Sequence, residues 1–232
     1  GFDPQKQAWN QAATIDMQGT WEEYWNGRAK KWRHNVQRLQ RRLAERGNVT
    51  FLRYRPRGTA EGDGDIGEAI GPRQPRIAKH SWQGASTDGT TLCHADVCQY
   101  LRETHETAAR TGSLDLNLLL LDGRPIAFGY NYHYRGGVYA LRKGFDPEFA
   151  KSRPGAVLMR MVLEDGFHRG DRYYDMGVGS LAIKRPWQTS LVTSYRYTHF
   201  PFSVPRAQHM RMKRWLQVKM HGEQDIACAQ TT

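Results

Sequence analysis

Apolar residues recur at alternating spacings of four and three along an early stretch of the chain. Such spacing places them on one face of a helix, and Gly47 follows where a helix commonly ends. The other faces are rich in arginine and lysine between residues 28 and 46. The pattern predicts a packed helix with a solvated basic face, and a second interpretation is a surface that binds phosphate, RNA or lipid headgroups. The apolar positions are Trp25, Ala29, Trp32, Val36, Leu39 and Leu43.

The middle of the chain carries the alternation that is typical of β-strands. Apolar residues dominate Leu114–Leu121 and occupy both faces in its second half, as in a central strand. Asp122-Gly123 is a strong signal for a tight turn, and a return strand is expected over 126–134. Arg135-Gly136-Gly137 predicts a second turn before a third strand over 138–145. Three antiparallel strands in succession form a β-meander.

The remaining segments complete an α+β chain with a mainly antiparallel sheet flanked by helices. Residues 1–20 are polar and are expected to be an irregular N-terminal segment. Residues 21–204 form the main domain, and residues 205–232 form a basic C-terminal helix and tail. The other expected elements are a strand over 49–54, a loop over 55–76, a helix over 92–111, a helix over 154–170, and strands over 172–176 and 191–200.

Composition narrows the class of partner. The 232 residues contain 34 Lys and Arg against 23 Asp and Glu, which gives a formal net charge of +11. That excess favours an anionic partner: a phosphorylated cofactor, a nucleic acid or an acidic membrane surface. No apolar run approaches the ~18 residues that a membrane-spanning helix needs. The chain begins at Gly1, which leaves open that it is a fragment of a longer protein.

The cysteines favour a reducing compartment. Cys93, Cys98 and Cys228 are too few for a disulfide framework. The paired C-x-x-C motifs that are typical of zinc sites are absent, so Cys93 and Cys98 are interpreted as ordinary helix residues. We therefore predict a cytoplasmic protein without a bound metal.

A candidate anion site lies where a helix is expected to begin, at Arg153-Pro154-Gly155-Ala156. A helix N-terminus offers unpaired N–H groups and a partial positive charge. Gly155 allows a ligand to approach the backbone closely, and Arg153 adds a full charge. Together they could cradle a pyrophosphate, although neither a P-loop nor a dinucleotide-binding fingerprint is present. The alternative is that Pro-Gly at this helix start is purely structural.

A second constellation runs from Asp175 to Lys184, with glycines between them. An acid at the end of a strand beside a cleft can accept a proton from an attacking amine or hydroxyl. The alternative is that Asp175 pairs with Lys184 and only shapes the loop. His133, His168 and His199 are further candidate bases, since histidine titrates near neutral pH.

Several segments, in this order, resemble the GNAT superfamily. They resemble in particular its branch of acetyltransferases of cellulose biosynthesis (BcsL/CelD-like), which is related to the FemAB peptidoglycan aminoacyltransferases. The resemblance covers roughly residues 20–200, and Gln83 stands where that branch usually has Lys. The segments are Trp21-Glu-Glu-Tyr24, Ser81-Trp-Gln-Gly84, Leu119-Leu-Leu-Asp-Gly-Arg-Pro-Ile-Ala127, Gly144-Phe-Asp-Pro-Glu148, Arg153-Pro-Gly155, Tyr174-Asp175 and Lys184-Arg-Pro-Trp187.

This resemblance implies a GNAT fold that transfers an acyl group from acetyl-CoA or another acyl-CoA directly to an amine or hydroxyl. The cofactor would lie between the strand that ends near Phe145 and the strand at Tyr173, and close pairing of these strands along their full length would leave no slot for it. The catalytic residues are expected at Asp175 and Lys184. The pyrophosphate would contact the start of the following helix, at Arg153, Gly155, Ala156 and Val157.

The resemblance also implies an acceptor and a second donor. The acceptor would be a sugar or a cell-envelope precursor, in the cytoplasm or at the inner face of the membrane. FemAB relatives use aminoacyl-tRNA as the donor, and the basic helix over 28–46 would suit tRNA or an anionic membrane surface. A third hypothesis, from another class, is a basic nucleic-acid-binding module without catalysis. The sequence leaves the oligomeric state open.

Overall fold

The computed structural model describes residues 5–57 and 95–228. The predictions for 58–94, including Ser81-Trp-Gln-Gly84 and Cys93, lie outside these residues. In chain order the elements are β1 (Gln5–Asp16), α1 (Trp21–Asn26), α2 (Lys30–Ala44), β2 (Val49–Tyr54), α3 (Ala95–Arg110), β3 (Leu114–Leu121), β4 (Arg124–Tyr134), β5 (Gly137–Phe145), a 3-10 helix (Pro147–Ser152), α4 (Pro154–Arg169), β6 (Tyr173–Asp175), α5 (Leu181–Lys184), β7 (Ser190–Thr198) and α6 (Pro205–Cys228).

The strands form one seven-stranded sheet in the order β2-β3-β4-β5-β6-β1-β7. Every neighbouring pair is antiparallel except β5 and β6, which run parallel. The predicted meander of β3, β4 and β5 is confirmed. Its first turn has positive φ at both Asp122 and Gly123, as a two-residue hairpin turn of this kind requires. The expected α+β architecture with a mainly antiparallel sheet is therefore confirmed.

The expectation of an irregular segment over residues 1–20 is wrong for residues 5–16, which form β1 between β6 and β7. Ala13, Ile15 and Met17 alternate into the core. The first half of β1 is polar and partly exposed, so its sequence lacks the apolar alternation that marks a buried strand. Pairing with β7 along nearly its whole length stabilises this polar half as a strand.

The single long helix expected over 25–43 is two helices, α1 and α2. Thr20 and Glu23 form a capping box that starts α1, and the backbone becomes extended at Ala29 (φ −53°, ψ 127°) before α2 begins. Trp25 and Trp32 are seven residues apart, which is about two helical turns. The apolar spacing therefore looks the same as in one continuous helix and does not reveal the break. The basic residues of α2 are exposed as expected, among them Lys30, Lys31, Arg38, Arg41 and Arg42, which is compatible with both interpretations of this face.

Helices cover both faces of the sheet. On one face, α1, α2 and α4 pack on the larger core, to which α4 contributes Val157, Val162 and Leu163. On the other face, α3 lies over a smaller core that contains Leu116 and Phe128. This arrangement places the N-terminus of α4 beside the end of β5, because only the 3-10 helix separates the two elements along the chain.

A buried ion network lies between the sheet and α4. Arg53 donates to both oxygens of Asp115, at 2.9 and 2.6 Å, and Arg55 donates to both oxygens of Asp171, at 2.9 and 2.6 Å. All four residues are buried, with at most 5% of their surface exposed. Gly166 lets α4 approach the network, because a Cβ there would lie 2.9 Å from Asp171 Oδ2. The sequence had not predicted this network.

The chain's last described element is the C-terminal helix α6, which lies within the predicted C-terminal helix and tail over 205–232. Across the described ranges, no helix combines the length and the apolar character that crossing a membrane requires.

Candidate active site

The strands β5 and β6 pair at one end and then part. Their parallel register runs from Gly137↔Tyr173 to Tyr139↔Asp175, whereas β5 continues to Phe145. Just after β6, Gly177 turns the chain with φ +71°, and a Cβ there would lie 3.1 Å from the carbonyl oxygen of Ala140. Both the conformation and the close approach therefore require glycine. Beyond Tyr139 the two strands leave a wedge-shaped opening in the sheet.

A cleft of about 620 Å³ occupies this opening. Its walls come from β4, β5, α4, β6, the loop after β6 and α5, and they are mainly apolar. The apolar wall includes Phe145, Leu158, Met159, Val162 and Met176, and the polar side chains that line the cleft are Asn131, Arg142, Lys143, Tyr174, Ser180 and Lys184. Mostly apolar clefts with a few placed polar groups are typical of small-molecule sites.

The N-terminus of α4 opens into the cleft. Arg153 has a left-handed backbone (φ 47°, ψ 53°) and its side chain does not cap the helix. Gly155 lines the cleft, whereas Ala156 is half-buried and its N–H donates to the carbonyl of Arg153. The Val157 side chain lies fully in the core. Of the predicted cradle, the structure therefore brings Gly155 to the cleft, with Arg153 exposed at the helix start.

The sequence matches the model of the family described as Acetyltransferase (GNAT) domain over residues 30–185. The chain belongs to this GNAT family. The matched residues run from α2 to α5 and contain the meander, the parting strands and α4, so the expected GNAT fold is confirmed. No curated protein matches the sequence.

Solved structures share this GNAT fold at low sequence identity. The C-terminal domain (DUF2156) of a protein assigned as a lysylphosphatidylglycerol synthetase from Agrobacterium fabrum has a TM-score of 0.60 at 12% identity, with 90% of this chain and 65% of that chain covered. L-PGS from Bacillus licheniformis has a TM-score of 0.55 at 12% identity, with 93% and 67% covered. FemX has a TM-score of 0.54 at 14% identity, with 86% and 65% covered. The GNAT chain thus spans 65% to 67% of the length of these structures.

Asp175 and Lys184, the predicted catalytic residues of this GNAT domain, both shape the loop after β6. The Asp175 carboxylate accepts a hydrogen bond from the N–H of Gly177 at 2.7 Å. Lys184 Nζ donates to the carbonyls of Gly177 and Val178 at 2.6 and 2.8 Å. Lys184 also lines the cleft, and burial lowers its pKa while Asp175 opposes that shift. Their catalytic roles stay predictions.

Lys143 on β5 is a cleft residue that the sequence did not single out. Its Nζ lies 3.2 Å from Met159 Sδ on α4 and 4.8 Å from the centre of the Tyr174 ring. Burial of the amine, reinforced by the positive charge of Lys184 and opposed by Asp115, lowers the pKa of Lys143 to about 7. The one sequence signal was its position two residues before Phe145, since residues i and i+2 of a strand share a face.

The inner end of the cleft is polar. The Tyr174 hydroxyl donates to Asn131 Oδ1 at 3.4 Å, and burial raises the pKa of Tyr174 above its ordinary value. Asn131 is 1% exposed and lines the cleft. Its Nδ2 has no hydrogen-bond partner among the described residues. Because buried donors are usually satisfied, this amide is a candidate contact for a ligand oxygen.

A β-bulge on β5 faces the same cleft. Tyr130 on β4 pairs with Arg142, but the next residue, Asn131, pairs with Ala140, so Leu141 has no partner on β4. A bulge frees backbone groups from the sheet, and bulges are common beside active sites. Leu141 is a lining residue. Its backbone amide is therefore a candidate donor to a negative charge that develops in the cleft.

The histidines considered as bases are not lining residues of the cleft. His133 is buried in the ion network, with Nε2 3.4 Å from Asp171 Oδ1, and His168 and His199 are exposed elsewhere. Within residues 5–57 and 95–228, no three His, Cys, Asp or Glu side chains are grouped so that they could hold a metal ion.

Proposed function

We propose that this protein is an acyltransferase that moves an acyl group from acyl-CoA, most simply acetyl-CoA, to an amine or hydroxyl acceptor. One observation carries the proposal: β5 and β6 part after Tyr139 and Asp175. The opening gives the pantetheine arm a place to lie along β5 with the thioester inside the sheet. Membership of the GNAT family supports the class of reaction.

The walls of the cleft suit this donor. Its apolar lining can hold the pantetheine arm and the acyl chain, and its polar inner end can bind the thioester oxygen. Val178 and Ile183 border the cleft and are 61% and 71% exposed. Exposed apolar side chains beside a cleft commonly mark a ligand site. A bound donor would cover both.

The start of α4 is the proposed pyrophosphate site. The helix start at Gly155, Ala156 and Val157 would lie beside the phosphates, although the Ala156 N–H is bonded to the Arg153 carbonyl, and the Arg153 guanidinium would supply a full positive charge. Arg46, which follows α2, adds a second charge nearby, since its guanidinium donates to Ser152 Oγ at 2.9 Å. Both helix polarity and side-chain charge therefore favour an anion at this end of the cleft.

Transfer in this proposal is direct. The acceptor attacks the thioester carbon, and the backbone amide at the Leu141 bulge stabilises the oxyanion. Much of the rate enhancement then comes from holding the donor and the acceptor close together in the orientation that the reaction needs. Lys184 would add positive charge close to the leaving sulfur, and Asp175 would fix the turn that carries Lys184.

The proposed acceptor is a sugar or a cell-envelope precursor, at the cytoplasmic side of the membrane or in the cytoplasm. The resemblance of Lys184-Arg-Pro-Trp187 and the upstream segments to the BcsL/CelD-like branch supports this choice. An anionic precursor would also be attracted by the net charge of +11.

Aminoacyl transfer from tRNA is the second candidate function, and one observation favours it. The exposed basic face of α2 continues to Arg46, which reaches the start of α4 through Ser152. A polyanion bound on that face would end at the mouth of the cleft. The fold shared with FemX is consistent with this alternative.

Donor preference separates these candidates. The protein is incubated with acetyl-CoA or with aminoacyl-tRNA, each with the same panel of amine and hydroxyl acceptors. We expect acceptor-dependent release of the CoA thiol. Release of free tRNA without thiol release would replace our proposal with the second candidate. Salt-dependent tRNA binding without either transfer would indicate a non-catalytic nucleic-acid-binding module.

A further inference from the structure

The length of the cleft along β5 matches the length of the donor's pantetheine arm. Every residue of β5 from Ala140 to Phe145 lines the cleft. This stretch measures about 16 Å, since a strand rises about 3.3 Å per residue. In CoA, about thirteen bonds separate the sulfur from the nearer phosphorus of the pyrophosphate, and such a chain spans roughly 15 Å when it is extended. Gly155 lies at the Phe145 end. A pyrophosphate beside Gly155 would therefore place the thioester beside Ala140.

Asn131 lies opposite this position. It pairs with Ala140 across β4 and β5, lines the cleft and is 1% exposed. Its Nδ2 has no hydrogen-bond partner among the described residues. Leaving a buried donor unpaired is unfavourable, so a ligand oxygen that reaches this end of the cleft would gain a hydrogen bond that the protein alone does not make.

Tyr174 holds the Asn131 amide in one orientation. Its hydroxyl donates to Asn131 Oδ1 at 3.4 Å, and Tyr174 is itself 1% exposed and lines the cleft. Because Oδ1 is occupied by Tyr174, the N–H groups of Nδ2 are the part of the amide that is left for a ligand. A donor that is already oriented needs no reorganisation when negative charge develops on the ligand.

Asn117, on the neighbouring strand β3, shows that burial alone does not create such a donor. Asn117 is fully buried, but its Nδ2 donates to Asp115 Oδ1 at 3.0 Å. Asn117 is not among the residues that line the cleft. The two asparagines therefore differ in the property that matters for a ligand, and Asn117 provides a matched control for Asn131.

We propose that Asn131 is a catalytic residue whose Nδ2 donates to the thioester oxygen, alongside the backbone amide at the Leu141 bulge, and that Tyr174 is its positioning residue. This inference rests on the proposed acyltransferase function. As the acceptor nitrogen or oxygen bonds to the acyl carbon, the carbonyl π electrons move to the oxygen, and Asn131 stabilises this oxyanion. The carbonyl then re-forms and the carbon–sulfur bond breaks. The acceptor proton ends on the departing sulfur, so the products are the acylated acceptor and free CoA thiol.

A pair of ligands that differ only in the carbonyl tests this contact without an acceptor. S-ethyl-CoA has the same arm and sulfur as acetyl-CoA but a methylene in place of the carbonyl. We expect the wild type to bind acetyl-CoA roughly 3–10-fold more tightly than S-ethyl-CoA, as for one hydrogen bond. Asn131→Ala should lose this preference while its affinity for S-ethyl-CoA changes little. Asn117→Ala should keep the preference.

The carbonyl stretch of bound acetyl-CoA gives a second readout that a purely structural role would not move. A hydrogen bond to the oxygen weakens the carbonyl bond and lowers its stretching frequency. With acetyl-CoA labelled with ¹³C at the carbonyl, infrared difference spectra should show a lower frequency in the wild type and in Asn117→Ala than in Asn131→Ala. Tyr174→Phe keeps the ring but frees the amide, and we expect an intermediate frequency.

Turnover should follow the same order. With an acceptor that supports thiol release, we expect kcat to fall by about 10²–10³-fold in Asn131→Ala, as for loss of one oxyanion donor, with a smaller change in KM. Tyr174→Phe should show a smaller fall in kcat. If Asn131→Ala does not fold, Asn131→Asp replaces it, because Asp keeps the size and an acceptor for Tyr174 but its carboxylate has no N–H.

The outcomes separate the two proposals. A preference for acetyl-CoA that persists in Asn131→Ala with an unchanged carbonyl frequency, or equal affinity of the wild type for both ligands, would overturn the role of Asn131 alone. Failure of the wild type to bind either ligand would overturn the acyl-CoA proposal, and the role of Asn131 with it. Loss of the preference in Asn131→Ala but not in Asn117→Ala, with the carbonyl frequency raised, would support both.

Discussion

Tyr139 and Asp175 are the last residues that β5 and β6 match in register, and the cleft begins immediately beyond them. Two hydrogen bonds hold this pair in place. The hydroxyls of Tyr139 and Tyr173 bond to each other, and the N–H of Gly177, in the turn after β6, donates to the Asp175 carboxylate. A short parallel pairing followed by a rigid turn thus sets where the sheet opens, and with it the position of the proposed thioester.

Replacement of Gly155 is predicted to weaken binding of the acyl-CoA donor without destabilising the fold. A Cβ at Gly155 would meet only Phe145 Cδ1, at 3.8 Å, which is an ordinary contact. We therefore expect Gly155→Val to fold with nearly wild-type thermal stability. Its side chain would enter the cleft, and we expect acyl-CoA affinity to fall by about tenfold or more, or roughly 1.4 kcal/mol.

Gly166 provides the matched control for that prediction. A Cβ there would lie 2.8 Å from Met17 Cε and 2.9 Å from Asp171 Oδ2, so Gly166→Ala is expected to destabilise the protein by about 1–3 kcal/mol. Equal loss of stability in both variants, measured by urea unfolding, would contradict the distinction.

Breaking the buried pair of Arg53 and Asp115 is predicted to be costly. Arg53→Met leaves a buried carboxylate without its main partner, and such a loss typically costs about 3–5 kcal/mol. Urea unfolding measures the free energy of unfolding. Arg38→Met, which removes an exposed arginine, should leave it nearly unchanged. A small effect at Arg53 would show that the network contributes little to stability.

The same network predicts a loss of stability in acid. Burial raises the pKa of the Asp115 and Asp171 carboxyls. Arg53 and Arg55 at Asp115, and the hydrogen bond from His133 together with both arginines at Asp171, outweigh it and hold the pKa of each below its ordinary value. A depressed carboxyl pKa contributes stability that is present above the unfolded-state pKa of about 3.9 and is lost as the pH falls further. The free energy of unfolding should therefore decline below about pH 4.

Lys143 is predicted to show linkage of the same sign at higher pH. Its pKa is lower in the folded protein, at about 7, than in the unfolded chain, at about 10.4. Between these values the unfolded chain binds more protons, so stability rises with pH. Lys143→Met should raise the free energy of unfolding at pH 7 and flatten this rise, whereas Lys213→Met, which removes an exposed lysine of α6, should do neither. Identical pH slopes in wild type and Lys143→Met would contradict the lowered pKa.

Local sequence signals were sufficient for the meander but not for the whole sheet. Asp122-Gly123 identifies the first turn of the meander, because this pair favours the backbone conformation of a tight turn. The strands on either side are apolar enough to be recognised from their own residues alone. β1 escaped prediction because its polar half becomes a strand only by pairing with β7, about 180 residues later in the chain. The break at Ala29 was hidden because the apolar spacing from Trp25 to Trp32 continues through it.

The sequence likewise predicted some residues of the candidate site and missed others. Gly155 and Arg153 could be named because helix N-termini have a sequence pattern of their own. Asp175 and Lys184 could be named as neighbours along the chain, but not the loop hydrogen bonds that occupy them. Lys143 could not be identified, because its unusual surroundings arise only when α4 brings Met159 against β5.

Calorimetric titration with acetyl-CoA tests the central claim most directly, that the parted strands and the start of α4 form a donor site. We expect binding with a Kd in the micromolar range, near −8 kcal/mol at about 1 μM. Arg153→Glu and Gly155→Val should each weaken it by about tenfold or more, a loss of roughly 1.4 kcal/mol. Arg206→Glu, an exposed charge reversal on α6, should not. No binding, or binding that neither cleft variant weakens, would contradict the claim.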